Sequence, residues 1–367
     1  MTSTGWLAVA GLLLGGCAGA GARPPPGQPG RAEWAALERE IPALLEAHHV
    51  ASVSIAHLER GELVYAAAFG SQSPGVPATV RSLYNVASLT KPVSADVALR
   101  LAAAGRLALD EPMAPTWTDP DLAGDGRLAR LTPRLALSHR SGLPNWRRET
   151  GGVLRFLREP GEAFGYSGEG YEYLRRFAER RTGEPFEALA QAVLLGPAGL
   201  GDTAYTRRPW FEGRVAVPVD ERGQPLAPTF ADTALASDLL YTTAPDYARF
   251  LRSVLRGEGL TPQLAADRAR VQVSRLAELC PRSARTACPD EAGFGLGWEV
   301  FRLGQETLLL HTGSDPGVFT LAYLNLTTGS GTVVLTSGAS GAHLVLPILD
   351  RLGADAAFVA LLRALAG

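Results

Sequence analysis

Ser88-Leu89-Thr90-Lys91 holds the single lysine of a 367-residue chain; the other 34 of its 35 Lys-plus-Arg residues are arginines. A guanidinium is a permanent cation, whereas a lysine amine gives up its proton when it is desolvated or set beside another cation. A composition that excludes the amine everywhere else and keeps it here points to proton transfer. Side chains at i and i+3 share one face of a helix, so a helix starting at Ser88 brings its hydroxyl beside the Lys91 amine one turn later. Such a pair is an activated serine nucleophile. A lone Ser-x-x-Lys string is also what a surface lysine near a serine looks like, and the solitary lysine separates the two readings.

Around this segment the hydrophobic pattern organises the chain. A helix is expected over residues 32–48, then strands over 52–57 and 63–68 joined by a turn at Glu59-Arg60-Gly61-Glu62. The Ser88 helix carries Val93, Val97 and Leu101 at helical spacing and stops at Gly105. Residues from about 107 to 235 are rich in Pro, Gly and Trp with short helical patterns, the clearest helix being 174–193. Strand signals return at 307–310, 319–324 and 332–336, and an apolar-striped helix covers 354–366. Strands at both ends with helices between them imply one antiparallel sheet assembled from the two termini, with a helical lobe inserted. The length suits two lobes or subdomains.

Three further segments carry chemistry. In Phe164-Gly165-Tyr166-Ser167-Gly168-Glu169-Gly170-Tyr171 a tyrosine sits on a glycine-rich loop, and a phenol near a lysine can act as general base. Its plain reading is a tyrosine packed on a loop. In Leu310-His311-Thr312-Gly313-Ser314 an edge strand can offer a backbone N–H to a developing oxyanion, with Gly313 leaving room for substrate. His311 on its own reads equally well as a satisfied strand-end histidine. Leu137-Ser138-His139-Arg140-Ser141-Gly142-Leu143-Pro144 is a loop in which no residue demands catalysis.

In order and spacing, Ser88-Leu89-Thr90-Lys91, Tyr166-Ser167-Gly168 and His311-Thr312-Gly313 resemble the three active-site elements of the class C β-lactamase-like serine hydrolases. That family includes β-lactamases, D-alanyl-D-alanine carboxypeptidases, D-amino-acid peptidases and esterases. The resemblance covers roughly residues 35 to 350 and extends to Gly105-Arg106-Leu107-Ala108-Leu109-Asp110 and Gly293-Phe294-Gly295-Leu296-Gly297-Trp298. It implies an α+β, β-lactamase/transpeptidase-like fold and an acyl-enzyme formed on Ser88. Lys91 and Tyr166 would share the proton transfers, which of them is the immediate base being left open. The N–H groups of Ser88 and Ser314 would form the oxyanion hole, and Gly168, His311, Thr312 and Gly313 would line the substrate site. The family's lactamases and peptidases usually carry Asn where Gly168 stands, and its lactamases carry Lys where His311 stands. An amide contact is therefore missing, and a carboxylate contact survives only if His311 is protonated. Esters or peptides are the expected substrates, with β-lactams or slow penicillin-binding turnover as the alternative.

Residues 6–14 form an apolar run too short to span a bilayer, ending in Leu14-Gly15-Gly16-Cys17. This resembles a bacterial lipoprotein signal, with 1–17 as signal, Cys17 lipidated, 18–30 a stiff Pro/Gly tether and 31–367 the hydrolase domain. An ordinary secretory signal is the rival. Either places the protein outside the cytoplasm, where Cys280 and Cys288 should pair. No His or second Cys pair at ligand spacing supports a metal site there, and adjacent His48 and His49 read as surface residues. A net charge of −2, from 35 basic and 37 acidic residues, gives no electrostatic ground for a nucleic-acid partner. The expectation is a cofactor-independent monomer acting on a small ester, amide or peptide.

Overall fold

The computed structural model describes residues 31–280 and 288–366. Cys17 and the tether lie outside the described residues. The chain opens with α1 (Arg31–Ala47), β1 (Ser52–Glu59), β2 (Glu62–Ser73), β3 (Val76–Pro77) and β4 (Tyr84–Asn85). Helices α2 (Thr90–Ala103), α3 (Pro133–Leu137), α4 (Gly168–Thr182) and α5 (Phe186–Ala190) follow. After β5 (Tyr241–Thr242) come α6 (Ala244–Arg256), α7 (Pro262–Arg268), β6 (Val273–Ser274) and α8 (Leu276–Leu279). Five strands then run in succession: β7 (Glu291–Phe294), β8 (Glu299–Leu303), β9 (Glu306–Asp315), β10 (Val318–Asn325) and β11 (Gly331–Thr336). Helices α9 (Val345–Leu352) and α10 (Ala356–Ala366) complete the fold.

The main sheet has nine strands in the order β3-β2-β1-β11-β10-β9-β8-β7-β6, while β4 pairs with β5 alone. Each strand runs antiparallel to its neighbours. The first hairpin turns on Arg60 and Gly61, both at positive φ (51° and 78°), as a two-residue turn matching strand twist requires. β1 joins the N-terminal hairpin to the C-terminal meander through β11, with Val53 opposite Thr336 and Leu58 opposite Gly331. The sheet is thus assembled from both ends of the chain.

β1 is buried on both faces because its alternate residues serve two cores. Val53 and Ile55 pack with Leu37 and Ile41 of α1 and Ile348 of α9, whereas Ala56 and Leu58 face the core containing α2, α4 and α6. α2 is enclosed on all sides from Thr90 to Leu101. Enclosure extends to a charged residue: Asp96 is held by Arg100 Nε at 2.9 Å and Arg268 Nη1 at 2.7 Å. The pair ties α2 to the end of α7, and its removal would strand two guanidinium groups in the core.

Two expectations change. The single helix over 174–193 is two helices, because Gly183 adopts φ 76° as the C-cap of α4 and Pro185 caps α5. β7 and β8 arise from a glycine-rich stretch with no clean alternation; Gly293 is needed there, since a Cβ would lie 2.0 Å from the Val273 carbonyl oxygen. Cys280 and Cys288 form a disulfide just before β7. Closing so short a loop contributes about 2.5 kcal/mol in the chain-entropy model.

Candidate active site

Ser88 lies in a 3-10 turn, Ala87–Leu89, that leads directly into α2. The turn is strained: Ala87 has φ 47°, an uncommon value for a residue with a Cβ. Local bonds hold it, with Asn85 Oδ1 accepting the Ala87 N–H at 2.8 Å and Thr90 Oγ1 donating to the Ala87 carbonyl at 2.7 Å. Ser88 is half-buried between buried neighbours, so its hydroxyl reaches the surface of the site. Lys91, fully buried, donates from Nζ to Ser88 Oγ at 3.0 Å and to the Ser237 carbonyl at 2.8 Å. Ser237 is itself fixed, its N–H and hydroxyl both donating to Glu172 Oε1.

Tyr166 comes to this pair on the loop before α4, its ring centroid 4.8 Å from Lys91 Nζ. His139 shapes that loop. Its carbonyl accepts the Gly165 N–H at 2.8 Å and its Nδ1 accepts the Ser167 N–H at 3.0 Å. The bonds bracket Tyr166 on either side, and the imidazole stacks on the phenol at 4.2 Å between centroids. An accepting Nδ1 puts the ring proton on Nε2. Burial, with the nearby Lys91, holds His139 neutral, its pKa well below the usual histidine range. The loop 137–144, which offered no catalytic signal as sequence, supplies this support.

The far wall is β9. Pairing with β8 ends at Leu310, so the edge from His311 to Asp315 is free to face the nucleophile turn. Gly313 permits the approach: a Cβ there would stand 2.5 Å from the Val86 carbonyl oxygen and 2.9 Å from the Ser88 nitrogen. Thr312 and Ser314 are exposed on the cavity wall beside it. His311 is buried, and its Nδ1 lies 2.7 Å from the Thr312 carbonyl, which can only accept. The proton is therefore on Nδ1, and burial pushes the pKa down to about 3. His311 is neutral at ordinary pH and cannot hold a substrate carboxylate as a cation, which closes the conditional contact considered from sequence.

Gly168 begins α4, and its missing side chain has a structural counterpart. A Cβ at Gly168 would lie 3.3 Å from Asn145 Oδ1 and 2.9 Å from the Asn145 carbonyl oxygen. Asn145 Oδ1 accepts the Gly168 N–H at 2.9 Å, and the residue lines the cavity. An amide from the 137–145 loop thus occupies the space that a side chain at 168 would fill. Sequence reasoning missed it because 23 positions separate the two residues.

The cavity, about 1020 Å³, takes in Ser88, Tyr166, Asn145, Thr312 and Ser314. Asp238 and Asp315 also line it, Asp315 accepting from Asn85 Nδ2 at 2.9 Å and Asp238 from the Leu239 N–H at 2.8 Å, and were likewise not singled out from sequence. Burial raises both pKa values, that of Asp238 to about 7 with the charge of Asp315 adding to the effect. No cluster of three metal-ligating side chains occurs among the described residues. The arrangement can activate a hydroxyl, accept and return its proton, and place backbone N–H groups of the nucleophile turn and β9 beside the reacting atom.

The Beta-lactamase family model matches residues 37–355. Esterase EstB of Burkholderia gladioli is 29% identical over 283 residues, covering 62% of this chain and 71% of the esterase. Penicillin-binding protein 4 of Amycolatopsis lactamdurans is 27% identical over 336 residues, 84% of this chain and 85% of its own. Among solved structures, the octameric penicillin-binding protein homologue of Pyrococcus abyssi superposes with a TM-score of 0.73 at 21% identity, covering 88% of this chain and 78% of that one. That likeness shows the fold, a large antiparallel sheet flanked by helices in the β-lactamase/transpeptidase arrangement. By the extent of the family match, and with Ser88, Lys91 and Tyr166 gathered at one cavity, the chain belongs to the Beta-lactamase family of serine hydrolases.

Proposed function

We propose that the protein is an extracytoplasmic serine hydrolase that cleaves esters or peptides through an acyl-enzyme on Ser88. The observation that carries this reading is Lys91 Nζ, fully buried and bonded to both Ser88 Oγ at 3.0 Å and the Ser237 carbonyl at 2.8 Å. Ser88 Oγ transfers its proton to the Lys91–Tyr166 pair as it attacks the carbonyl carbon. The N–H groups of Ser88 and Ser314 hold the oxyanion, one such donor being worth about 10²–10³ in rate. The proton then goes to the departing alcohol or amine, and water repeats the sequence to release the acyl group. The neutral His311 argues against substrates recognised by a carboxylate, as β-lactams are in relatives with lysine at this position. A relative named as a D-alanyl-D-alanine-carboxypeptidase/endopeptidase, AmpH of Escherichia coli, 24% identical over 281 residues, supports the peptide branch of the proposal.

Fluorophosphonate should label wild-type protein and not Ser88→Ala, and p-nitrophenyl acetate or butyrate should be hydrolysed with higher kcat/KM than nitrocefin. Labelling that survives Ser88→Ala would remove the nucleophile assignment, and faster nitrocefin cleavage would reverse the substrate order. The proposed lipid anchor on Cys17 predicts palmitate incorporation that Cys17→Ala abolishes. The proposal of a monomer is tested by light scattering of protein lacking residues 1–30.

A further inference from the structure

We propose that Glu172, on α4 and outside the cavity lining, is a positioning residue for acyl transfer: through Ser237 it fixes the direction in which the Lys91 amine faces Ser88 Oγ. This rests on the acyl-enzyme reading above. The need for such a residue follows from the amine itself. A neutral lysine nitrogen has one lone pair and two N–H bonds on a freely turning Cε–Nζ bond, so the lone pair faces the serine hydroxyl only when another of its directions is held. Gly168 brings no side chain to the amine from the start of α4. Among the described residues the hydrogen bonds of Lys91 Nζ go to Ser88 Oγ and the Ser237 carbonyl, which leaves that carbonyl to hold the amine while Ser88 reacts.

The carbonyl is held from both sides. Ser237 is fully buried, and its N–H at 3.0 Å and its hydroxyl at 2.7 Å both donate to Glu172 Oε1. Three residues on, the Leu240 N–H donates to Thr90 Oγ1 at 3.1 Å and the Leu240 carbonyl accepts the Val86 N–H at 2.9 Å, bonds to the two residues that flank the nucleophile turn. Between these anchors Leu239 sits at φ 61°, a strained value that persists only where the surroundings enforce it.

The Glu172 carboxylate is fixed in its turn. Its Oε2 accepts from Arg175 Nε at 2.8 Å, and the buried Arg175 reaches Glu179 Oε2 at 2.8 Å through Nη1. These three residues share one face of α4, the helix that begins just after Tyr166. One element therefore follows the phenol and carries the strut that aims the amine. Because one oxygen of Glu172 serves Ser237 and the other serves Arg175, the two roles can be separated by mutation.

Glu172→Ala removes both contacts. Glu172→Gln keeps an oxygen for Ser237 and ends the ion pair with Arg175, while Ser237→Ala keeps the ion pair and loses the hydroxyl bond. The measurements are the rate of fluorophosphonate labelling at Ser88, and kcat and KM on p-nitrophenyl butyrate. Glu172→Ala should lower the labelling rate and kcat by about tenfold or more, within the cost of misplacing a catalytic group. Its KM should change by less than about twofold, since Glu172 touches no substrate and the amine serves acylation and deacylation alike. Glu172→Gln should stay within about threefold of wild type, as the loss of the ion pair alone leaves Ser237 held. Equal losses in the two Glu172 variants would mean that the residue acts through Arg175, and would overturn the proposal. If Glu172→Ala does not fold, Ser237→Ala decides: a fall of about threefold or more in labelling rate is expected, and an unchanged rate overturns the proposal. If wild type is labelled at Ser88 and Glu172→Ala matches it, this inference alone fails; a wild type that is not labelled removes the acyl-enzyme reading with it.

Discussion

The His139 imidazole lies against the Tyr166 phenol with centroids 4.2 Å apart and planes 28° apart, while its Nδ1 accepts the N–H of the next residue, Ser167. Stacking and acceptor can be separated by mutation. His139→Phe keeps a ring and loses the acceptor; His139→Asn loses the ring, keeps an oxygen near the Nδ1 position and tolerates the native φ of 56°. A misplacement of about 1 Å at a catalytic group can cost about 10² in rate. His139→Phe should lose about that much kcat on p-nitrophenyl acetate, with His139→Asn retaining more. Equal losses would mean that the hydrogen bond is not what positions Tyr166.

Gly313→Ala should lower kcat/KM by about 10²–10³, the cost of losing an oxyanion donor. The added methyl meets the Ser88 nitrogen at 2.9 Å and the Val86 carbonyl oxygen at 2.5 Å, so β9 and the nucleophile turn must part. Steady-state kinetics beside an unchanged far-ultraviolet circular dichroism spectrum would locate the effect in the site.

Lys91→Arg should be nearly as damaging as Lys91→Ala, about 10²–10⁴ in kcat. Charge is preserved, yet a guanidinium cannot release its proton, and Lys91 is fully enclosed with no room for the larger fork. Near-wild-type turnover by the arginine variant would remove the acid–base role.

Asp96→Ala should destabilise the fold by about 3–5 kcal/mol, the usual cost of breaking a buried ion pair from one side. Arg100 and Arg268 are both buried and both pair with this one carboxylate. Urea unfolding checks the value, and a loss under about 1 kcal/mol would show that the cations find other partners.

Acid sensitivity should depend on His57, whose burial lowers its pKa to about 4 from 6.5. Above pH 6.5 it is neutral folded or unfolded, and its contribution to stability is complete. Between pH 6.5 and 4 the unfolded chain takes up a proton that the native state refuses, so stability falls by up to about 1.4 kcal/mol per pH unit. The difference in unfolding free energy between wild type and His57→Gln should therefore shrink as pH drops from 7 to 4.5. A constant difference would mean that His57 does not contribute.

The antiparallel sheet was legible in the sequence because β1, β9, β10 and β11 carry apolar runs or alternations of their own. β7 and β8 were not, since Gly293 serves close packing rather than a pattern. The Gly183–Pro185 break was written in the sequence but was overridden by continuous helical periodicity on both sides. At the site, Ser88 and Lys91 could be found because their pairing is local, three residues apart. Asn145, His139 and the Asp238–Asp315 pair act across 23 to 77 positions, and only the folded chain brings such residues together.

The Ser52 and Ser337 hydroxyls, 2.7 Å apart across 285 positions, mark a seam that sets when the protein can fold. β1 is translated long before its second neighbour, β11, which begins only at Gly331. Until then the first hairpin carries an unsatisfied edge, the kind of surface that recruits other chains. Closure over so long a separation makes for high contact order and slow assembly. Folding is thus committed only once Gly331–Thr336 has emerged, and a chain truncated before Gly331 lacks the strand that unites its two halves.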